Sequence, residues 1–222
     1  MPQLAPPVAQ VGSNGPKRHL RVAPSLKAAL RKKLRSARRS FSPSDHQRRS
    51  AHAVRVLTRL PGFKSGNRVA VYLPFDGEVD TAALLSAARR RGIVLYTPVI
   101  IDKRRGHMRF HRLDGELVRG HFGISVPRRL GPALSARWLH LIVVPLVGID
   151  ARGYRLGMGR GFYDRALVYR RSFAHLGPRL VGLAFECQRT DDCHAEAWDI
   201  RLDMLATENG LQRFTIRSPK DA

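Results

Sequence analysis

The chain has 222 residues, 43% of them hydrophobic, a length that suffices for one α/β domain with a full core. No apolar run approaches a membrane span and the N-terminus has no unbroken apolar leader core, so neither a membrane protein nor a secretory precursor is expected. The two cysteines, Cys187 and Cys193, exclude a disulfide framework, and the net charge of +23 points to polyanionic partners.

Residues 1–24 are rich in Pro, Gly, Ala and Ser without periodicity and read as a disordered tail. Ser25 is expected to cap a helix running to about Arg39, with Leu26, Leu30 and Leu34 on one face and mostly solvated basic residues elsewhere. Ser44 to Gln47 has the spacing of a capping box and predicts a second helix to about Leu60, with Val54, Leu57 and Leu60 inward. Arg68 to Leu73 reads as a buried strand stopped by Pro74. Asp80 then caps a helix to Arg91, ended by Gly92. Ile93 to Thr97 is the next strand, Met108 to Arg112 an edge strand, and residues 115–127 are irregular. Leu139 to Val147 is the strongest strand signal. A helix over Phe162 to Arg171 follows, then strands at Leu180 to Phe185, Leu205 to Thr207 and Leu211 to Phe214. This order predicts an α/β fold: one open, mostly parallel sheet with helices on both faces, formed by residues 25–216.

Arg155-Leu-Gly-Met-Gly-Arg-Gly-Phe-Tyr-Asp164 is the most informative stretch. Gly157, Gly159 and Gly161 leave a backbone bare enough to wrap an anion, and Arg155 and Arg160 bring positive charge to it. The loop is neither G-x-x-x-x-G-K-[ST] nor G-x-G-x-x-G. Its position between a buried strand and a helix is where an open α/β sheet binds ligands. Arg makes up 33 of the 40 basic residues and is spread along the chain, with no finger spacing or RNP-like motif. Nucleotides or other multiply anionic small molecules are the expected partners, and dedicated nucleic-acid binding is the alternative.

Among the carboxylates, Glu78 leaves the end of a buried strand, where it can accept hydrogen bonds from amino groups of a ring such as a pterin. Asp164 and Asp199 are candidate ligands for a Mg²⁺ that takes its other ligands from substrate phosphates. Asp199 and Asp203 would share one side of a strand, with Asp203 structural. Cys187, Cys193 and His194 fit no common zinc spacing.

Val144 to Arg165, with Lys27-x-x-x-Arg31, Tyr72-Leu-Pro before Glu78, Gly123-Ile, and Asp199-x-x-x-Asp203-x-x-x-Thr207-Glu208, resembles the 5-formyltetrahydrofolate cyclo-ligase family over residues 26–208. With two cysteines, a reducing cytoplasm is the expected compartment, and the resemblance implies a ligase. With ATP and Mg²⁺ it phosphorylates the formyl oxygen of 5-formyltetrahydrofolate; N10 then attacks the activated carbon and phosphate departs, giving 5,10-methenyltetrahydrofolate. It further implies that Lys27, Arg31 and the run Arg155, Leu156, Gly157, Met158, Gly159, Arg160, Gly161, Phe162 and Tyr163 line ATP. Leu73, Glu78 and residues 158–162 contact the folate, Asp164 and Asp199 hold Mg²⁺, and Arg155 and Arg160 act in catalysis. Two departures stand out: Arg160 where some relatives have Lys or Gly, and Phe162 in place of Tyr.

Overall fold

A computed structural model of the chain describes residues 26–173 and 177–214. The expected tail over residues 1–24, the cap at Ser25 and the domain end at residues 215 and 216 lie outside these.

In chain order the elements are α1 (Leu26–Arg39), α2 (Pro43–Thr58), β1 (Arg68–Ala70), α3 (Ala82–Arg90), β2 (Val94–Asp102) and β3 (His107–Arg112). A hairpin of β4 (Leu117–Arg119) and β5 (Ser125–Pro127) follows, then β6 (Leu141–Val144), β7 (Gly148–Ile149), β8 (Arg155–Leu156) and α4 (Phe162–Ala166). The last strands are β9 (Arg179–Leu183), β10 (Met204–Thr207) and β11 (Gly210–Arg213). Seven strands form one sheet in the order β11-β10-β9-β6-β1-β2-β3. The five central strands are parallel, and the two edge strands β3 and β11 run antiparallel to their neighbours.

The apolar runs of the central strands alternate between two cores. Val69, Leu141, Val143, Val181 and Ala206 pack on one face against Val54 and Leu57 of α2 and Leu84 of α3. Ala70, Ile142, Val144, Leu180 and Leu205 pack on the other with Leu167, Phe162 and Tyr163. A strand buried on both faces needs no polar alternation, hence the continuous hydrophobic signal of these segments. The chain steps from β1 through α3 to β2 on one side, while β6, β9 and β10 build outward on the other. The order therefore reverses between β1 and β6, and the loops leaving their carboxyl ends flank the crevice where such sheets take ligands.

Several expected boundaries differ. α2 begins at Pro43, with Ser42 rather than Ser44 as its cap: the Ser42 hydroxyl accepts from the Asp45 N–H at 3.2 Å. Proline at the first helical position has no N–H to satisfy and places the cap one residue before it. Leu26 is exposed, because the small cluster of Val147, Leu156 and Cys193 beneath α1 reaches only Leu30 and Leu34. β1 ends at Ala70, and the Tyr72 carbonyl takes the Thr81 hydroxyl instead of a ladder bond. β2 runs on past Thr97 to Asp102, and residues expected to be irregular form the β4–β5 hairpin. β6 stops at Val144 because Pro145 has no N–H for the ladder. The helix expected over residues 162–171 breaks at the fully buried Leu167 and continues as a 3₁₀ turn, Val168–Arg171.

Candidate active site

The glycine loop is built from a buried carboxylate. Asp150, 1% exposed, accepts from the N–H groups of Arg152 and Tyr154, each at 3.0 Å, and closes the turn from β7 to β8. Gly153 in that turn has φ +88°, and a Cβ there would overlap the Phe214 ring, so only glycine fits. Beyond β8, Gly159 (φ +87°) and Gly161 (φ +63°) take left-handed conformations that turn the chain back into α4. Arg31 of α1 braces the loop: its Nε donates to the Gly157 carbonyl at 2.8 Å, and its guanidinium lies against Gly159.

Above the loop lies a cavity of about 480 Å³. Lys27, Arg31, Arg160 and the glycines border it, and so do both candidate metal ligands, Asp164 and Asp199. Arg155 also reaches it but is 8% exposed and already engaged, donating to the Ile200 carbonyl at 2.6 Å and to Asp164 Oδ1 at 2.7 Å. The Ile200 N–H donates to the same Oδ1 at 3.0 Å. Arg155 thus stitches the loop to the segment that carries Asp199. Asp199 Oδ2 accepts from the Glu196 N–H at 2.8 Å and lies 3.6 Å from Lys27 Nζ. Among the described residues, Oδ2 of Asp164 and Oδ1 of Asp199 accept no hydrogen bond. No cluster of three or more His, Cys, Asp or Glu exists among them. The donor set therefore fits a hard cation that draws most of its ligands from phosphate and water.

Asp203 does not share a strand side with Asp199, because residues 199–203 are irregular. It accepts from Arg170 and from the Leu180 N–H, both at 2.7 Å, and is structural as expected. Cys187 and Cys193 are free thiols.

A second wall leaves β1. Leu73 is buried in the core, while Glu78 stands at its edge with its side chain 13% exposed. Burial pushes the Glu78 carboxyl up to about 7; Arg38 at 3.9 Å and the Phe75 N–H at 3.1 Å pull only partly the other way. Burial and the Glu78 charge also raise the Tyr72 and Tyr163 phenols, and the buried Tyr163 hydroxyl has no hydrogen-bond partner among the described residues. Over this wall stands Phe122, from the β4–β5 turn, with φ +59°. Arg160 lies 5.3 Å and Lys103 4.9 Å from its ring centroid, and Phe162 packs at 6.5 Å. Met158 is exposed on the same loop.

Two features escape sequence reasoning. The basic face of α1 is not simply solvated: Arg35, Arg38 and Arg39 all converge on Asp76, which sits at φ +56°. Arg38, 1% exposed, also donates to the Leu146 carbonyl at 3.1 Å and so ties the loop after β1 to the loop after β6. Arg165 is the second. Its guanidinium donates to the Gly106 carbonyl at 3.1 Å and to the Arg160 carbonyl, linking the β2–β3 turn to the glycine loop. A Cβ on Gly106 would overlap that guanidinium. Gly106→Ala and Arg165→Gln remove the same contact. In a double-mutant cycle read by urea unfolding, their effects are therefore expected to fall short of additivity by about 1 kcal/mol. Strict additivity would mean that the contact contributes nothing.

The sequence matches a model of the 5-formyltetrahydrofolate cyclo-ligase family over residues 23–208. It is 34% identical to a 5-formyltetrahydrofolate cyclo-ligase of Escherichia coli (strain K12), across 78% of this chain and 96% of that one. It is 30% identical to a protein of the same name from Haemophilus influenzae, across 78% and 92%. The fold superposes on Aquifex aeolicus 5,10-methenyltetrahydrofolate synthetase with a TM-score of 0.73 at 33% identity, covering 87% of this chain and 95% of that structure.

Proposed function

The chain belongs to the 5-formyltetrahydrofolate cyclo-ligase family, and from that premise we propose that its crevice closes 5-formyltetrahydrofolate to 5,10-methenyltetrahydrofolate with ATP and Mg²⁺. The observation that carries the reading is the convergence on one glycine loop of Lys27, Arg31 and Arg160 with two carboxylates, at the reversal point of the sheet.

The cofactors supply a phosphoryl group, which makes the formyl oxygen a leaving group, and a divalent charge that offsets the phosphates. Phosphoryl transfer asks a protein mainly for positioning and charge stabilisation. The N–H groups of residues 157–161 and the side chains of Lys27 and Arg31 hold the phosphates. Asp164 and Asp199 hold the metal. Arg155 acts by fixing Asp164, and Arg160, exposed beside Phe122, meets charge that develops during transfer. Glu78 and the backbone of Leu73 orient the pterin ring. Residues 158–162 stand between the two ligands, so one loop sets the distance between phosphoryl donor and formyl oxygen. The remaining basic surface suits the anionic tail of a polyglutamylated folate in the cytoplasm.

The test is to mix the protein with 5-formyltetrahydrofolate, ATP and Mg²⁺ and follow 5,10-methenyltetrahydrofolate by absorbance. Product that requires ATP and disappears on metal chelation is expected. ATP binding without product would mean another acceptor on this fold. RNA affinity with a steep salt slope and no turnover would favour a basic binding protein.

A further inference from the structure

The cavity over the glycine loop is lined by two chemically different sets of side chains. Most are the cations, carboxylates and glycines described above, with Arg165 and Arg171. Trp198 and Val168 also line it and are 59% and 52% exposed. They arrive from separate segments: Trp198 immediately precedes Asp199, and Val168 opens the 3₁₀ turn after α4. Both are large apolar side chains left open to solvent within a site dominated by charge. Neither the Arg155 nor the Arg165 guanidinium is spent on Trp198; they lie 5.9 Å from the ring centroids of Tyr163 and Phe162. Among the described residues no aromatic ring or cation stacks on the indole.

A phosphate-binding loop needs no apolar lining. A nucleotide does, because it joins a polyanion to a flat, weakly hydrated base through a sugar. The volume of about 480 Å³ falls within the roughly 300–1,000 Å³ of small-molecule sites, more than a triphosphate alone would occupy. We propose that Trp198, with Val168 in the same lining, is the base-binding subsite of this cavity, with the purine stacked on the indole while the phosphates lie on the loop. This rests on the reading of the cavity as a nucleotide site. It makes Trp198 a specificity residue for the purine rather than a catalytic one: a stacked base lies at the opposite end of the ligand from the transferred phosphoryl group.

The chain has two tryptophans, so Trp138→Phe leaves Trp198 as the only indole reporter. Titration of that variant with ATP is expected to quench or shift the emission, whereas inorganic triphosphate, bound to the same loop without a base, leaves it unchanged. In turnover, Trp198→Ala is expected to raise the KM for ATP about tenfold with kcat within twofold, and Trp198→Phe to restore most of the loss, as removal of one stacked aromatic does. Equal responses to ATP and triphosphate, or an unaltered KM in Trp198→Ala, would overturn the subsite while ATP-dependent turnover of the unmodified protein left the nucleotide reading in place. No turnover and no ATP binding by the unmodified protein would overturn both.

Discussion

Asp164→Asn is expected to lower turnover by about 100- to 1,000-fold, the usual cost of losing one preorganised charge at a reacting site, while the chain still folds. The asparagine carbonyl keeps the place of Oδ1, so it still accepts from Arg155 and the Ile200 N–H. What disappears is the negative charge available to a cation and the ionic half of the pair with Arg155. Arg155 is nearly buried, its side chain 5% exposed. A stability loss of about 1–3 kcal/mol in urea unfolding is therefore expected as well. Asp164→Ala is harsher: it strands a buried guanidinium, a change that costs about 3–5 kcal/mol. It confounds lost metal binding with lost structure, so the asparagine variant is the informative one. Its residual activity should require much higher Mg²⁺. An Asn variant within tenfold of the parent at ordinary Mg²⁺ would rule out Asp164 as the metal ligand.

How far the sequence foretold this site depends on where its parts lie in the chain. The glycine loop was legible because all its elements are local: the strand before it, the left-handed glycines and the helix after it are neighbours in sequence. The central strands were legible because burial on both faces leaves an unbroken apolar run. Long-range pairings were not. Nothing in Lys27-Ala-Ala-Leu-Arg-Lys-Lys marks Arg31 as the brace of a loop more than a hundred residues away, and a row of arginines on α1 does not reveal that three of them share Asp76. Arg165 appears only as the residue after Asp164 until the β2–β3 turn is seen against it. Trp198 lies in an irregular segment with no periodicity to read. The pairing expected between Asp199 and Asp203 failed for the same reason: it assumed a strand, and the segment follows its hydrogen bonds to Asp164 and Gly153 instead.

Glu78→Gln is expected to make the protein more stable and less active at the same time. The Glu78 carboxyl has its pKa raised from 4.5 to about 7 by burial. Between those values the folded chain binds a proton that the unfolded chain releases, so this group's contribution falls as pH rises through the interval. By pH 8 the carboxylate is ionised in both states and the folded state carries the full desolvation cost, about 3 kcal/mol. Glutamine removes that cost and still accepts from the Phe75 N–H. It forfeits the long contact with Arg38, which retains Asp76 at 3.0 Å. Urea unfolding should therefore show Glu78→Gln more stable than the parent by about 2–3 kcal/mol at pH 8, with the two converging near pH 4.5. A buried acid kept at such a cost is explained by the ligand it meets. The same variant should accordingly lose at least tenfold in kcat/KM for 5-formyltetrahydrofolate while its KM for ATP stays put, since Glu78 does not border the cavity over the glycine loop. A variant that is destabilised at pH 8, or one that gains stability and keeps full folate efficiency, would remove Glu78 from the folate wall and leave it as a surface-edge carboxylate with no role in the reaction.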